Sequence, residues 1–300
     1  MRWSFGGHET FVIREGWLHK GLSLLLNDPD ALAGPEAADA LGVGQNMAKS
    51  IRHWLVITGI ADRTGGKRGP LEVTKLGTLI WRQDPYFLAP GSWWAIHMQL
   101  INQPRAGAWC WFFNHFGQPR FERAVCIERL SQYLQLHRRQ TPSRNTLDRD
   151  ISCLLRCYAT TVPPKREDPE DGNDCGLREL GLIYHFPGSG VFQRVGEPKP
   201  VPAELIGYNI ALTRLEAQGD EGSVDVPIEG LAREPGGPGA ALQVSAENLY
   251  EILQQAERSH PDLRIVGLGA ERMLRMPRRE PLEWLKLYYA GLEEAHADAA

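Results

Sequence analysis

At 300 residues and 33.6 kDa the chain has room for two or three domains. Its 42% hydrophobic and 23% charged residues are those of a globular protein, with no apolar run of membrane-spanning length and no secretory leader pattern at the start. Five cysteines (Cys110, Cys126, Cys153, Cys157 and Cys175), an odd number with no CxxC pair, point to reduced thiols in a cytoplasmic protein rather than to a disulfide framework or a zinc site.

The net charge of −4 is unevenly spread. Between Gln45 and Lys75 six basic residues face only Asp62 and Glu72, and between Arg120 and Arg149 seven arginines face three acids. Acids gather in the loop KREDPEDGND at 165–174 and in the last third. Local potential steers a polyanion more than net charge does, so a basic front suits a nucleic-acid partner.

In chain order, FGGHETFVIREGWLHKG at 5–21 packs His8, Glu9, Arg14, Trp17, His19 and Lys20 into one short stretch. A helix from about Thr10 would place Glu9 at its electropositive start and Arg14 and Trp17 near one face. His8 and Glu9 then form either a proton-transfer pair or a plain cap. PEAADALGVGQNMAKSIRHWLVITG predicts a short helix over 37–41, a turn at Gly42 or Gly44, and a second helix with Asn46 as cap and Met47, Ile51, Trp54 and Leu55 as apolar stripe. Asn46, Lys49, Ser50, Arg52 and His53 fall outside the stripe and are candidate DNA contacts. IADRTGGKRGPLEVT then reads as two strands around a basic glycine-rich turn, with Lys67 and Arg68 at its tip, which completes a winged helix. Winged helices also serve as protein docking modules.

A helix over 76–82, a DPYF turn and a Trp93, Trp94, His97, Met98 helix follow, and WCWFFNHF at 109–116 reads as core. Two further helices, 121–138 and from about Leu147, flank QTPSRNT, where Thr141 or Ser143 can cap. Around that turn Arg138, Arg139, Arg144 and Arg149 form either a phosphate clamp or a solvated corner. Beyond the acidic loop come a short helix, two strands, a helix from Pro202, an irregular insertion over 217–239, an amphipathic helix, a short strand and a basic, apolar tail. The chain is therefore expected to be mainly α with short β-hairpins (α+β). Residues 1–92 form a winged-helix domain, 93–163 a helical domain with a second helix-turn-helix pattern, and 164–300 a mixed α/β domain.

No GxGxxG after a strand, GxxxxGK, HExxH or GxSxG motif is present, so nucleotide, zincin and serine-hydrolase chemistries have no specific support. Asp168, Glu170, Asp171 and Asp174 supply oxygen ligands of the kind a divalent ion prefers, or a solvated acidic loop.

FGGHETFVIREGWLHKG, LGVGQNMAKSIRHWLVITGIA, VTKLGTLIWRQDPYF and the WWxxH of Trp93 to His97 resemble the blocks of a family described as the domain of unknown function 4007. The likeness is specific to about residue 100 and looser to about 200. It implies a place beside a cysteine desulfurase, an ATP pyrophosphatase and an ATPase in bacterial single-stranded (Ssp-type) DNA phosphorothioation and defence, where the family member looks like the DNA-nicking component. The shared pattern falls on His8, Glu9, Thr10, Phe11, Arg14, Trp17, Leu18 and Lys20, then on Gly42, Asn46, Met47, Lys49, Ser50, Ile51, Arg52 and Trp54. A nickase would use His8 with Glu9 for proton transfer, Arg14 or Lys20 for the phosphate, and Mg2+ or Mn2+ for charge. A non-catalytic DNA-binding adaptor, or a winged-helix transcriptional regulator, would use the same basic surface without a reaction. The expected partner in each case is double-stranded DNA, away from any membrane.

Overall fold

The computed structural model describes residues 3–34, 36–64, 69–137, 141–163, 175–214, 222–268 and 271–298. It divides into two compact units, Met1–Arg194 and Val195–Ala300. The expected boundaries at 92 and 163 thus fall inside the first unit, where a hydrogen bond from His8 to Asp150 ties the N-terminal segment to the helical region.

The first unit opens with an irregular segment rather than a helix from Thr10, and α1 begins only at Trp17 (Trp17–Asn27) after Gly16 at φ 73°. Next come α2 (Ala37–Leu41) and α3 (Gln45–Ile57), joined by a turn in which Gly42 alone takes the left-handed conformation, at φ 65°. The second helix starts one residue before the expected Asn46 cap, with Gly44 in the cap position. Ala48, Ile51, Trp54 and Leu55 bury the inner face of α3, as their helical spacing requires. The wing strands β1 (Ala61–Arg63) and β2 (Leu71–Val73) pair antiparallel, Ala61 opposite Val73 and Arg63 opposite Leu71. The Thr74 side chain then caps α4 (Lys75–Gln83) by accepting from the Gly77 amide at 3.0 Å.

The core of this unit is carried by α5 (Pro90–Asn102) and α6 (Gly107–His115), whose Trp93, Trp94, Trp109, Trp111, Phe112 and Phe113 are all buried. WCWFFNHF is core as the sequence indicates, and His97 is interior, with Nδ1 2.8 Å from the Tyr158 hydroxyl. His115 is exposed and stacks on Tyr133. β3 (Arg120–Glu122) leads into α7 (Arg123–His137) and α8 (Arg144–Tyr158), the latter capped by Ser143 and starting three residues before Leu147. Strand β4 (Ala159–Thr161), a 3-10 turn at Gly176–Leu180, β5 (Ile183–Phe186) and β6 (Val191–Arg194) complete a four-stranded sheet ordered β3-β6-β5-β4, parallel only between β4 and β5.

In the second unit α9 (Ala203–Arg214) packs on α13 (Pro281–Asp298). Between them come β7 (Ser223–Pro227), α10 (Ile228–Arg233), α11 (Pro238–Leu242), α12 (Ala246–Ser259), β8 (Arg264–Leu268) and β9 (Glu271–Pro277), the strands forming an antiparallel sheet ordered β7-β9-β8. The described part of the expected irregular insertion, 222–239, thus holds β7, α10 and the start of α11, and the expected tail is a strand followed by a helix. Among the described residues no helix is long and apolar enough to cross a membrane.

Candidate nucleic-acid interface

The opening motif is built around His8, which is only 2% exposed. Its Nδ1 accepts from the Thr10 amide at 3.1 Å, so the ring is the Nε2–H tautomer and donates to Asp150 Oδ1 at 2.8 Å. The Asp150 carboxylate also accepts the Gly6 amide, at 3.0 Å to each oxygen. The Ser50 hydroxyl donates to the His8 carbonyl at 2.9 Å and Trp54 Nε1 donates to the Phe11 carbonyl at 3.2 Å, so α3 holds the segment from below. Arg156 of α8 donates to the Thr10 carbonyl at 3.2 Å. The expected pairing of His8 with Glu9 does not form: Asp150 is the partner, both ring nitrogens are engaged, and Glu9 stands exposed.

These bonds hold a backbone that side chains disfavour. Gly6, Gly7, Glu9 and Thr10 have φ of 77°, 94°, 49° and 69°. A Cβ on Gly7 would come within 2.6 Å of His53 Nδ1, so only glycine lets the segment lie this close to α3.

The segment forms one rim of a groove of about 280 Å³. Gly7 and Glu9 line it from the loop, Lys49, Arg52, His53 and Val56 from successive turns of α3, and Arg63 from the wing. Arg52 donates to the Leu32 carbonyl at 3.1 Å, Arg63 to the Gly69 carbonyl at 2.9 Å, and Lys49 to Asn46 Oδ1 at 3.4 Å. None of the three cations forms a salt bridge with a described carboxylate. Burial, reinforced by the charge of Arg63, lowers the pKa of Arg52. Burial, with the neighbouring His8 ring adding to it, brings His53 down to about 4, so its imidazole is neutral near pH 7. Such a groove can seat a phosphate oxyanion between fixed cations.

The remaining expected residues are placed differently. Ser50 is fully buried and spent on the His8 carbonyl, which removes it from any DNA surface. Asn46 is exposed at the start of α3, beside the groove. Arg14 lies over the Trp17 and Phe11 rings, at 5.5 and 5.8 Å, and lines a separate cavity of about 200 Å³ with Glu15, Tyr86, Leu88 and Glu179. Lys20 is exposed on α1 and lines neither cavity. Arg144 is exposed and 3.4 Å from Glu128. Lys67, Arg68, Arg138 and Arg139 lie outside the described residues. The sequence reading missed Asp150, Gly7 and Arg63 as parts of one site, because their meeting depends on contacts up to 144 residues apart.

Among the described residues no three His, Cys, Asp or Glu side chains converge to hold a metal. Asp150 is committed to His8 and Asp148 faces Arg123 at 3.7 Å, while the whole of 165–174, with Asp168, Glu170, Asp171 and Asp174, lies outside the described residues. The cysteines form no disulfide among themselves.

The fold and groove define a mainly helical protein with an N-terminal winged-helix-like module and a cationic groove at its second helix. The chain belongs to the family described as protein of unknown function, DUF4007, which matches residues 5–289. Two solved structures resemble it over nearly its whole length. "Magnesium ion-bound SspB crystal structure" has a TM-score of 0.82 and 25% identity, and "SspB crystal structure" has 0.81 and 26%; each covers 96% of this chain and 88% of the other. Comparison with curated proteins gives no match.

Proposed function

We propose that the protein is a DNA-binding component of a bacterial phosphorothioation and defence system, one that grips duplex DNA and presents it to modification enzymes without itself breaking a bond. The observation that carries this reading is the groove in which Lys49, Arg52 and Arg63 converge, none of them in a salt bridge with a described carboxylate. Structural likeness to SspB and the opening HETF motif support the link to that system. Its partners would be the cysteine desulfurase, ATP pyrophosphatase and ATPase that the family resemblance implies.

In this reading the exposed face of α3 enters the major groove and the three cations hold a phosphate of one strand. His53, neutral and close to the loop, offers that phosphate a hydrogen bond rather than a charge. The buried His8 positions the rim and takes no proton from substrate, because both of its nitrogens are in use.

Fluorescence anisotropy with a short duplex tests the grip. Arg52→Ala and Arg63→Ala should each weaken binding roughly tenfold, and the double variant more. Unchanged affinity in the double variant would sink the groove as the DNA seat. Supercoiled plasmid incubated with the protein and Mg2+ or Mn2+ should stay closed; protein-dependent open circle that disappears in Glu9→Gln would replace the adaptor with a nickase.

A further inference from the structure

Glu9 is out of keeping with a surface built only to hold phosphate. It lines the same groove as Lys49, Arg52 and Arg63 yet forms no salt bridge with a described residue, so its carboxylate is not tied to any one of them. A carboxylate at that rim repels the phosphate that the cations attract. Its backbone is also costly to arrange. Glu9 and Thr10 are adjacent non-glycine residues in the left-handed region, at φ 49° and 69°. They are held there by the Thr10 amide on His8 Nδ1 and by the bonds that fix Gly6 and His8 to Asp150. An exposed glutamate present only for solubility needs no such anchoring, whereas one that must meet a partner at a fixed place does.

We infer that Glu9 reads a base: its carboxylate accepts a hydrogen bond from the exocyclic amine of a cytosine in the major groove, beside the phosphate held by the cations. This rests on the DNA-binding reading above. An ionised carboxylate only accepts hydrogen bonds, and the donors on the major-groove edge are cytosine N4 and adenine N6. Adenine places its N7 acceptor beside N6, where it repels a carboxylate; cytosine places no acceptor of its own beside N4 on that edge.

The test is selection from a randomised duplex library with the full-length wild-type protein, Glu9→Gln and Glu9→Ala, read out by sequencing, together with the affinity of each protein for one fixed non-selected duplex. The wild type should favour cytosine at one position by about tenfold. Glu9→Ala should flatten that position alone, and Glu9→Gln, which carries both a donor and an acceptor, should move it towards adenine N6 and N7. Both variants should bind the fixed duplex more tightly than the wild type, having lost the negative charge that repels its phosphate. Identical preferences in all three proteins, or a loss of affinity for every sequence in the isosteric Glu9→Gln, would overturn the inference. A wild type that binds DNA without any base preference overturns it alone; a wild type that binds no duplex overturns the DNA reading as well.

Discussion

His8 and Asp150 carry more of the site than any other pair. Both are buried, and the carboxylate satisfies three donor contacts from Gly6 and His8. Asp150→Ala leaves the Gly6 amide and His8 Nε2 without their acceptor, so it should lower stability by about 2–4 kcal/mol in urea denaturation followed by tryptophan fluorescence. A loss under about 0.5 kcal/mol would mean that the loop is held by other contacts. His53 gives a second residue-scale prediction. Its pKa is held at about 4 in the folded protein against an ordinary value of 6.5, so the unfolded chain takes up a proton first as the pH falls. Its stabilising contribution is intact above about pH 6.5 and is lost between there and about pH 4, to a total on the order of 3 kcal/mol. In His53→Gln that part of the acid sensitivity should vanish, as read from unfolding midpoints across the pH range. The opening motif is visible in the sequence as a dense set of polar residues, but its internal pairing is not. His8 next to Glu9 suggests a pair, while the folded chain gives His8 a partner on α8.

At the scale of elements, α3 was legible because Ile51, Trp54 and Leu55 recur at helical spacing, which sends Lys49, Arg52, His53 and Val56 to the opposite face. The wing was legible from its glycines between short β-forming runs. α1 begins later than the pattern suggests because Val12 and Ile13 are buried and Phe11 half-buried without being helical; bonds from α3 and α8 to the Phe11 carbonyl hold the segment, and no local pattern announces them. β7 is hidden within the insertion because its partner is β9, with Ser223 opposite Pro277, and strand pairing at that separation leaves no periodic trace nearby. In α13, Pro281 opens the helix and Glu283 suits its first turn, two signals that were available and were merged into a tail. α8 and its neighbours also make a chemical prediction. Burial raises the pKa of Cys126, Cys157 and Cys175, and Cys153 is buried beside them in α8, whereas Cys110 is half-buried. Dithionitrobenzoate should therefore modify one thiol in the native protein and five in denaturant. Rapid native modification of more than one would contradict this packing.

At the scale of the whole molecule, net charge and the proposed function point in opposite directions. A chain of −4 would not attract DNA as a uniform sphere, yet it gathers three cations, none in a salt bridge with a described carboxylate, in one groove. If those three hold phosphates, log K should fall against log salt with a slope of about −3, and Arg52→Ala should flatten it by about one. A slope near zero would point to a partner other than a polyanion. The family match over 5–289 and the structural likeness over 96% of the chain span both compact units, so the second unit belongs to the common architecture.

The bond between His8 and Asp150 also sets an order of events during synthesis. Its two ends are 142 residues apart, so the N-terminal segment leaves the ribosome well before the carboxylate that fixes it exists. At about 5–20 residues per second that interval is on the order of ten seconds. Until α8 emerges the groove has α3 and the wing but lacks its strained rim, and the nascent chain has the charges of the site without their registration. On the proposed function, competence to engage DNA is thereby deferred until the first unit is nearly complete, a delay written into the distance along the chain between two side chains.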